Sequence, residues 1–347
     1  MSKARIETLD WLRGLMALSI MFYHLSNWII HPLDSSGPLG RLGVYGVSIF
    51  FILSGLSMAI VYNRYLTTIQ SAGRFFIRRI FRIWPLFWIV CLLVVFHQRN
   101  LAHSFDPFSL VLNLTTLFGF ISPTNYIPVG AWSIGNEMVY YALTPLIIAA
   151  YNHRKWAGNT IFVITLIIGL YFAFSLLDAD LSIARQWNIY VNPFNNLFLY
   201  VAGIAIFYNL LDIRIKPTII NMMLILAVLL FCVMPSEGNH IVIVSGTGRV
   251  IFVILSTIIV ICFYKMQPKL PKFIAISLEN IGMATYGVYL IHPVIYVYFK
   301  QYLPNYPDVY NPYMLIVMVS ITTVALSIII YRTIELRFIK LGKSITS

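Results

Sequence analysis

Stretches of about membrane-span length that are apolar almost throughout recur from one end of this 347-residue chain to the other. They run over 9–29, 43–63, 83–97, 108–122, 133–151, 160–177, 193–210, 218–234, 249–264, 283–300 and 313–331, eleven in all. About 20 apolar residues are needed to cross a bilayer as a helix. In lipid, only a helix or a closed barrel satisfies its own backbone. The alternation in ~10-residue segments that marks a membrane barrel is absent. The expected fold class is therefore all-α: a polytopic bundle of membrane helices forming one domain over 1–347. A hydrophobic share of 59%, a charged share of 10% and a mean hydropathy of +0.82 exclude an ordinary soluble domain.

Basic residues test how many of the eleven stretches cross. With the N-terminus inside at Lys3 and Arg5, and with 108–122 not crossing, 18 basic residues fall on the inner side and 4 on the outer. The inner clusters are Arg64–Arg82, Arg154/Lys155, Arg214/Lys216, Lys265–Lys272 and Arg332–Lys343. The outer four are Arg41, Arg99, Arg185 and Arg249. If 108–122 crossed, the last four inner clusters would face out, against the positive-inside rule. The bias predicts about ten transmembrane helices with both termini cytoplasmic, plus one short re-entrant, interfacial or packed segment. The net charge of +12 belongs to these short loops, so nucleic acid is not expected as a partner. The first apolar run has no small-residue cleavage site, so no cleaved signal is expected. Cys91, Cys232 and Cys262 all lie inside apolar runs and read as buried small hydrophobes.

Ionisable groups inside spans are expensive, which makes each a site hypothesis. The first span carries Asp10, Arg13 and His24. Arg13 and His24 are eleven residues apart, which on a helix is about 20° past three full turns, so they share a face about 16 Å apart. A histidine takes and gives a proton near neutral pH; the bland alternative is a structural histidine bonded to a neighbouring helix. The run R-R-I-F-R-I-W-P places Arg78, Arg79 and Arg82 within a turn of one another. Such a cluster suits phosphate oxygens, and it equally suits a topology anchor or lipid headgroups. The run G-V-S-I-F-F-I-L-S-G allows close helix packing, and Ser54 within it lines a path in the site reading.

Trp132 fits an aromatic belt, and Glu137 sits one helical turn from Ser133 and Tyr141 at a depth like that of His24. Glu137 either orients a histidine or pairs with a buried arginine. In T-Y-G-V-Y-L-I-H-P, Tyr286, Tyr289 and His292 precede a helix-disturbing Pro293, and His292 is a substrate-path or a structural residue. Glu335 reads as an ion-pair partner for Arg332 or for the arginine cluster. No metal-ligand spacing, phosphate-binding glycine loop or G-x-S-x-G is found, and no metal is expected.

Taken in order, Arg13 with His24, the second-span glycine-aromatic motif, R-R-x-x-R-I-x-P, W-S-x-x-x-E and Y-x-x-Y-L-x-H-P resemble the acyltransferase-3 family of integral-membrane acyltransferases. Thr285 stands where that family's last motif usually has serine, which keeps the hydroxyl. The resemblance implies transfer of an acyl group, commonly acetyl from acetyl-CoA, to a hydroxyl of a carbohydrate or glycolipid acceptor, in a bacterial inner membrane with membrane lipid around it. It implies the stand-alone type, without an SGNH esterase-like domain, acting on O-antigen, exopolysaccharide or a lipid-linked glycan. His24, Glu137 and Arg13 are then the catalytic candidates, with Arg78, Arg79 and Arg82 on the donor phosphates. Asp10, Ser54, Trp132, Ser133, Tyr286, Tyr289, His292 and Glu335 lie along the substrate path. The competing class is a transporter or flippase, which midspan polar residues and a broken helix also suit.

Overall fold

Proline and asparagine set where many of the helices begin. Five start on a proline, whose fixed φ and missing N–H suit the first turn. Asp106, Asn192 and Asn311 cap three of those starts by accepting backbone N–H groups. The computed structural model describes residues 6–100, 106–236, 238–302 and 311–346, so Lys3 and Arg5 lie outside the described residues, as does the side chain of Arg99. No strand occurs among the described residues.

The helices are α1 (Glu7–Ile29), α2 (Pro38–Tyr62), α3 (Ile69–Asn100), α4 (Pro107–Leu114), α5 (Phe118–Ile121), α6 (Trp132–His153) and α7 (Lys155–Tyr171). The short α8 (Trp187–Tyr190) then leads into α9 (Pro193–Leu210), α10 (Pro217–Val233), α11 (Ile241–Val244) and α12 (Gly246–Lys265). The chain closes with α13 (Lys272–Met283), α14 (Thr285–Tyr302), α15 (Pro312–Ile330) and α16 (Leu336–Ile345). Single π turns extend α7 over Phe172–Leu176 and join α15 to α16 over Tyr331–Glu335.

The all-helical membrane bundle is as the sequence predicts, but the count of ten is not reached on length and apolarity alone. Among the described residues, five helices are long and apolar enough to cross a membrane, or up to seven if α8–α9 and α13–α14, bent by 62° and 69°, each count as one span. The physical reason is partly the site itself. The 23 residues of α1 and 22 of α6 suffice for a crossing, but Asp10, Arg13, His24, Asn136 and Glu137 dilute their apolar character. The 108–122 stretch folds as two short helices broken at Thr116, whose φ is +57°. The 8-residue α4 spans only about 12 Å, and Trp84 and Trp88 of α3 bond the Thr116 hydroxyl and the Leu114 carbonyl. It is packed against its neighbours, not crossing.

The basic stretch before the third apolar run is helical too. The 32-residue α3 begins at Ile69 and carries the arginines on its first turns. At the heart of the bundle α2 lies directly on α9. A Cβ on Gly55 would fall 1.8 Å from the Tyr200 carbonyl oxygen, and one on Gly203 would fall 2.0 Å from that of Ile52, so only glycine permits the crossing.

The two ends of the bundle differ. One gathers the basic turns: Asn152 donates to the Asn63 carbonyl, Lys265 bonds the Leu210 and Ile213 carbonyls, and Arg78 reaches Thr346. The other, the mouth, is built by loops around 30–37, 122–131 and 177–192 and by the described residues of 234–236 and 238–245. Arg41 and Arg249, two of the four basic residues assigned to this side, prove to be buried struts. Arg41 donates to the carbonyls of Ser35, Ser36, Phe231 and Cys232, and Arg249 to Asn195 and Asn196. Arg41 ties loop to helix, Arg249 ties α12 to α9, and both side chains are buried.

Candidate active site

The first helix places its polar residues at two depths. Near its start, Asp10 and Arg13 pair at 2.8 Å, and Arg13 also donates to the Ser57 hydroxyl and, at 3.4 Å, to the Leu53 carbonyl. Three turns further on, His24 points to α14. Its Nδ1 lies 2.9 Å from Nε2 of His292, whose own Nδ1 lies 2.9 Å from the Val288 carbonyl oxygen. Trp28 stacks on the His24 ring at 4.9 Å and 10°, and Tyr296 stacks on Trp28.

The order of these bonds fixes where the protons are. A carbonyl oxygen only accepts, so the Nδ1 of His292 carries hydrogen. Neutral His292 then offers a lone pair at Nε2, and Nδ1 of His24 must donate to it. In neutral His24 this leaves the lone pair on Nε2. Nε2 is the nitrogen left for the cavity that His24 lines.

That cavity, about 390 Å³, opens at the mouth. Tyr23, His24 and Tyr289 line it with Tyr126, Trp132, Trp187 and Tyr190, and with Asn239 and His240. Among the described residues, no aspartate, glutamate, lysine or arginine does. The Tyr289 hydroxyl donates to the Gly130 carbonyl at 2.9 Å and meets the Ser133 hydroxyl at 2.9 Å. Gly130 holds φ at +80°, and a Cβ there would lie 2.9 Å from that hydroxyl, so glycine is required twice over. Outside the spans, burial pushes the His240 imidazole below its usual range, against the pull of Asp34. Hydrogen bonds from Ser36 hold the exposed Asp34 carboxyl low.

Several expected partners differ from those the sequence suggested. Glu137 does not reach His24. It accepts from the Ser54 and Tyr141 hydroxyls, the latter at 2.5 Å, because its helix faces α2 at that depth. His292 of α14 holds His24 instead. Pro293 sits inside α14, which continues past it; the sharp break lies earlier, between α13 and α14. The three arginines fan out. Arg78 bonds Thr346 and lies over Tyr65. Arg79 donates to the Tyr62 hydroxyl at 3.0 Å and lies over the Tyr62, Phe75 and Tyr141 rings. Arg82 pairs with buried Glu335, which realises the arginine-cluster alternative for that glutamate rather than Arg332, and lies over Tyr286. Tyr286 donates to the Ile83 carbonyl.

Tyr23, Tyr126, Trp187, Tyr190 and His240 are wall residues that sequence reasoning passes over. The aromatic-rich run R-Q-W-N-I-Y, Arg185–Tyr190, is a signal for two of them, Trp187 and Tyr190.

Fold and site together define a helical membrane protein in which His24, bonded to His292, lines an aromatic cavity. Residues 6–332 match the family model described as an acyltransferase domain, and the chain belongs to that acyltransferase-3 family. It is 23% identical over 367 residues to the O-acetyltransferase OatA of Staphylococcus aureus, covering 96% of this chain and 57% of OatA. It is 30% identical over 149 residues to a putative acetyltransferase, ORF330, of Acidianus two-tailed virus, 42% of each chain. An uncharacterized protein of Haemophilus influenzae is 27% identical over 238 residues, 62% of this chain and 96% of that one. The chain therefore spans just over half the length of OatA. No solved structure matches.

Proposed function

We propose that this protein is a membrane O-acetyltransferase that moves acetyl from acetyl-CoA, entering from the basic end, to a carbohydrate hydroxyl held in the mouth cavity. The observation that carries this reading is that His24, tied through Nδ1 to His292, lines an aromatic cavity in a member of an acyltransferase family. The name of OatA supports acetyl as the group and oxygen as its acceptor. In the reaction, Nε2 takes the proton of the acceptor hydroxyl as its oxygen attacks the thioester carbonyl. The new C–O bond forms, the C–S bond breaks, and the proton passes from His24 to the departing thiolate.

Coenzyme A is long and carries a diphosphate and a 3′-phosphate. Arg78 and Arg79 suit those phosphates best, because the partners described above for both are neutral, whereas Arg82 is already neutralised by Glu335. Arg13, Ser57, Ser54, Glu137 and Tyr141 mark a polar line between that end and His24. The basic end is cytosolic by the positive-inside rule, which puts the acceptor on the outer side of a bacterial inner membrane. Flat aromatic walls suit sugar rings, and a lining without lysine or arginine among the described residues suits an uncharged sugar, since a buried carboxylate would find neither of them there. O-antigen, exopolysaccharide and lipid-linked glycans supply such residues.

The test is release of free coenzyme A from acetyl-CoA by the detergent-purified protein, wild type beside His24→Ala. Release that needs His24 supports the reading. Undiminished release by His24→Ala would sink the base assignment. No release together with no binding of coenzyme A would favour transport.

A further inference from the structure

A histidine base is only as good as its tautomer, and here the tautomer is set by a residue on another helix. We propose that His292 is the positioning residue of the reaction: it ties its Nδ1–H to the Val288 carbonyl and so compels His24 to donate from Nδ1 and to keep Nε2 as the base. This rests on the acyl-transfer reading above. The arrangement has three independent supports. Three ring nitrogens and the Val288 carbonyl oxygen are joined by two successive 2.9 Å contacts. His292 is 1% exposed, so its proton order is not scrambled by water. The rings are held by stacking, with Trp28 against both imidazoles at 4.9 and 6.1 Å and Tyr296 behind Trp28.

The partner's chemistry matters as much as its place. In hydrolases built on a serine, the third member is a carboxylate that fixes the tautomer and also balances the imidazolium. His292 supplies the first service without the second. When Nε2 of His24 takes the acceptor's proton, its Nδ1–H bond to His292 is unchanged and no counter-charge lies across that bond. The proton is therefore readily surrendered to the thiolate that leaves in the same step, and the pair returns to its starting order.

Two replacements separate this role from packing. His292→Phe keeps the ring and its stacking but offers no acceptor; His292→Gln offers an amide oxygen to Nδ1–H and an amide N–H to Val288. With acetyl-CoA as donor, kcat for coenzyme A release should fall 10- to 100-fold in His292→Phe, with KM for acetyl-CoA unchanged. His292→Gln should recover most of that loss. Equal activity in the two variants, at wild-type or reduced level, would overturn the proposal. A second measurement needs no His292 variant. In wild-type protein labelled with ¹⁵N-histidine, the signals lost in His24→Ala identify that ring, and its Nε2 should be unprotonated and its Nδ1 protonated at neutral pH. A protonated Nε2 would overturn the tautomer assignment even if His24 proves essential, whereas an active His24→Ala would instead sink the base reading.

Discussion

The mouth and the basic end solve the same difficulty, polar groups within an apolar bundle, in opposite ways. Among the described residues lining the mouth cavity none is an aspartate, glutamate, lysine or arginine: His24, His292 and Val288 form a line, and the Ser133 and Tyr289 hydroxyls both reach the Gly130 carbonyl. At the basic end the groups are permanently charged and are screened mainly by aromatic faces, with one buried carboxylate among them. Neutral order suits a group that must change its protonation state. Fixed charge over rings suits a group that must keep its charge and wait for an anion.

The largest expected break in this comparison is His24→Ala, which should lower acetyl transfer by ~10²–10⁴-fold while leaving acetyl-CoA binding, followed by calorimetry, as it was. At the other end, Arg78→Ala or Arg79→Ala should weaken that binding ~10- to 100-fold, since a hydrogen bond to a charged group contributes about 1.5–3 kcal/mol. Arg82→Ala should behave differently from both. It strands the Glu335 carboxylate, 2% exposed, and should cost about 3 kcal/mol of stability, seen as a lower melting temperature; Arg82→Leu with Glu335→Leu should recover it. Trp187→Ala should raise KM for the acceptor about tenfold, in keeping with the loss of one aromatic wall, without moving KM for acetyl-CoA.

The smallest effect sharpens the comparison at the mouth. His240 titrates below its usual range because it is buried. A depressed folded-state pKa means that the unfolded chain binds more protons as the pH drops below about 6.5. Stability from this residue is present above that pH and lost below it. Melting temperature should therefore fall between pH 7.5 and pH 5.5 by more in wild type than in His240→Asn.

Much of the bundle was legible. Apolar runs gave most of the helices, and a single polar face on α1 pointed to Arg13 and His24. Charge alone offered Glu335 either Arg332 or the arginine cluster, and the fold selects Arg82 from that cluster. Pairings across the fold were not. His24 and His292 are 268 residues apart, and nothing in either motif says that one ring meets the other. Glu137 looked equally fit to meet His24 until the α2 face it lies against placed Ser54 before it. The separation of the three arginines was hidden too, because Arg78, Arg79 and Arg82 are neighbours along α3 yet project at angles of about 100° per residue toward different helices. The mouth walls were least legible, since Tyr126, Trp187 and His240 stand in connections whose path no periodicity records.

The line from His24 ends on a backbone carbonyl, and that has a bearing on the membrane as an insulator. A protein threaded with exchangeable groups from face to face risks short-circuiting the proton gradient across it. Val288 oxygen already belongs to an amide and takes up no proton at physiological pH, so a proton that lands on His24 finds no onward conductor through His292. It can leave only by the way it came, back to the cavity, and the mouth stays electrically isolated from the basic end along this branch.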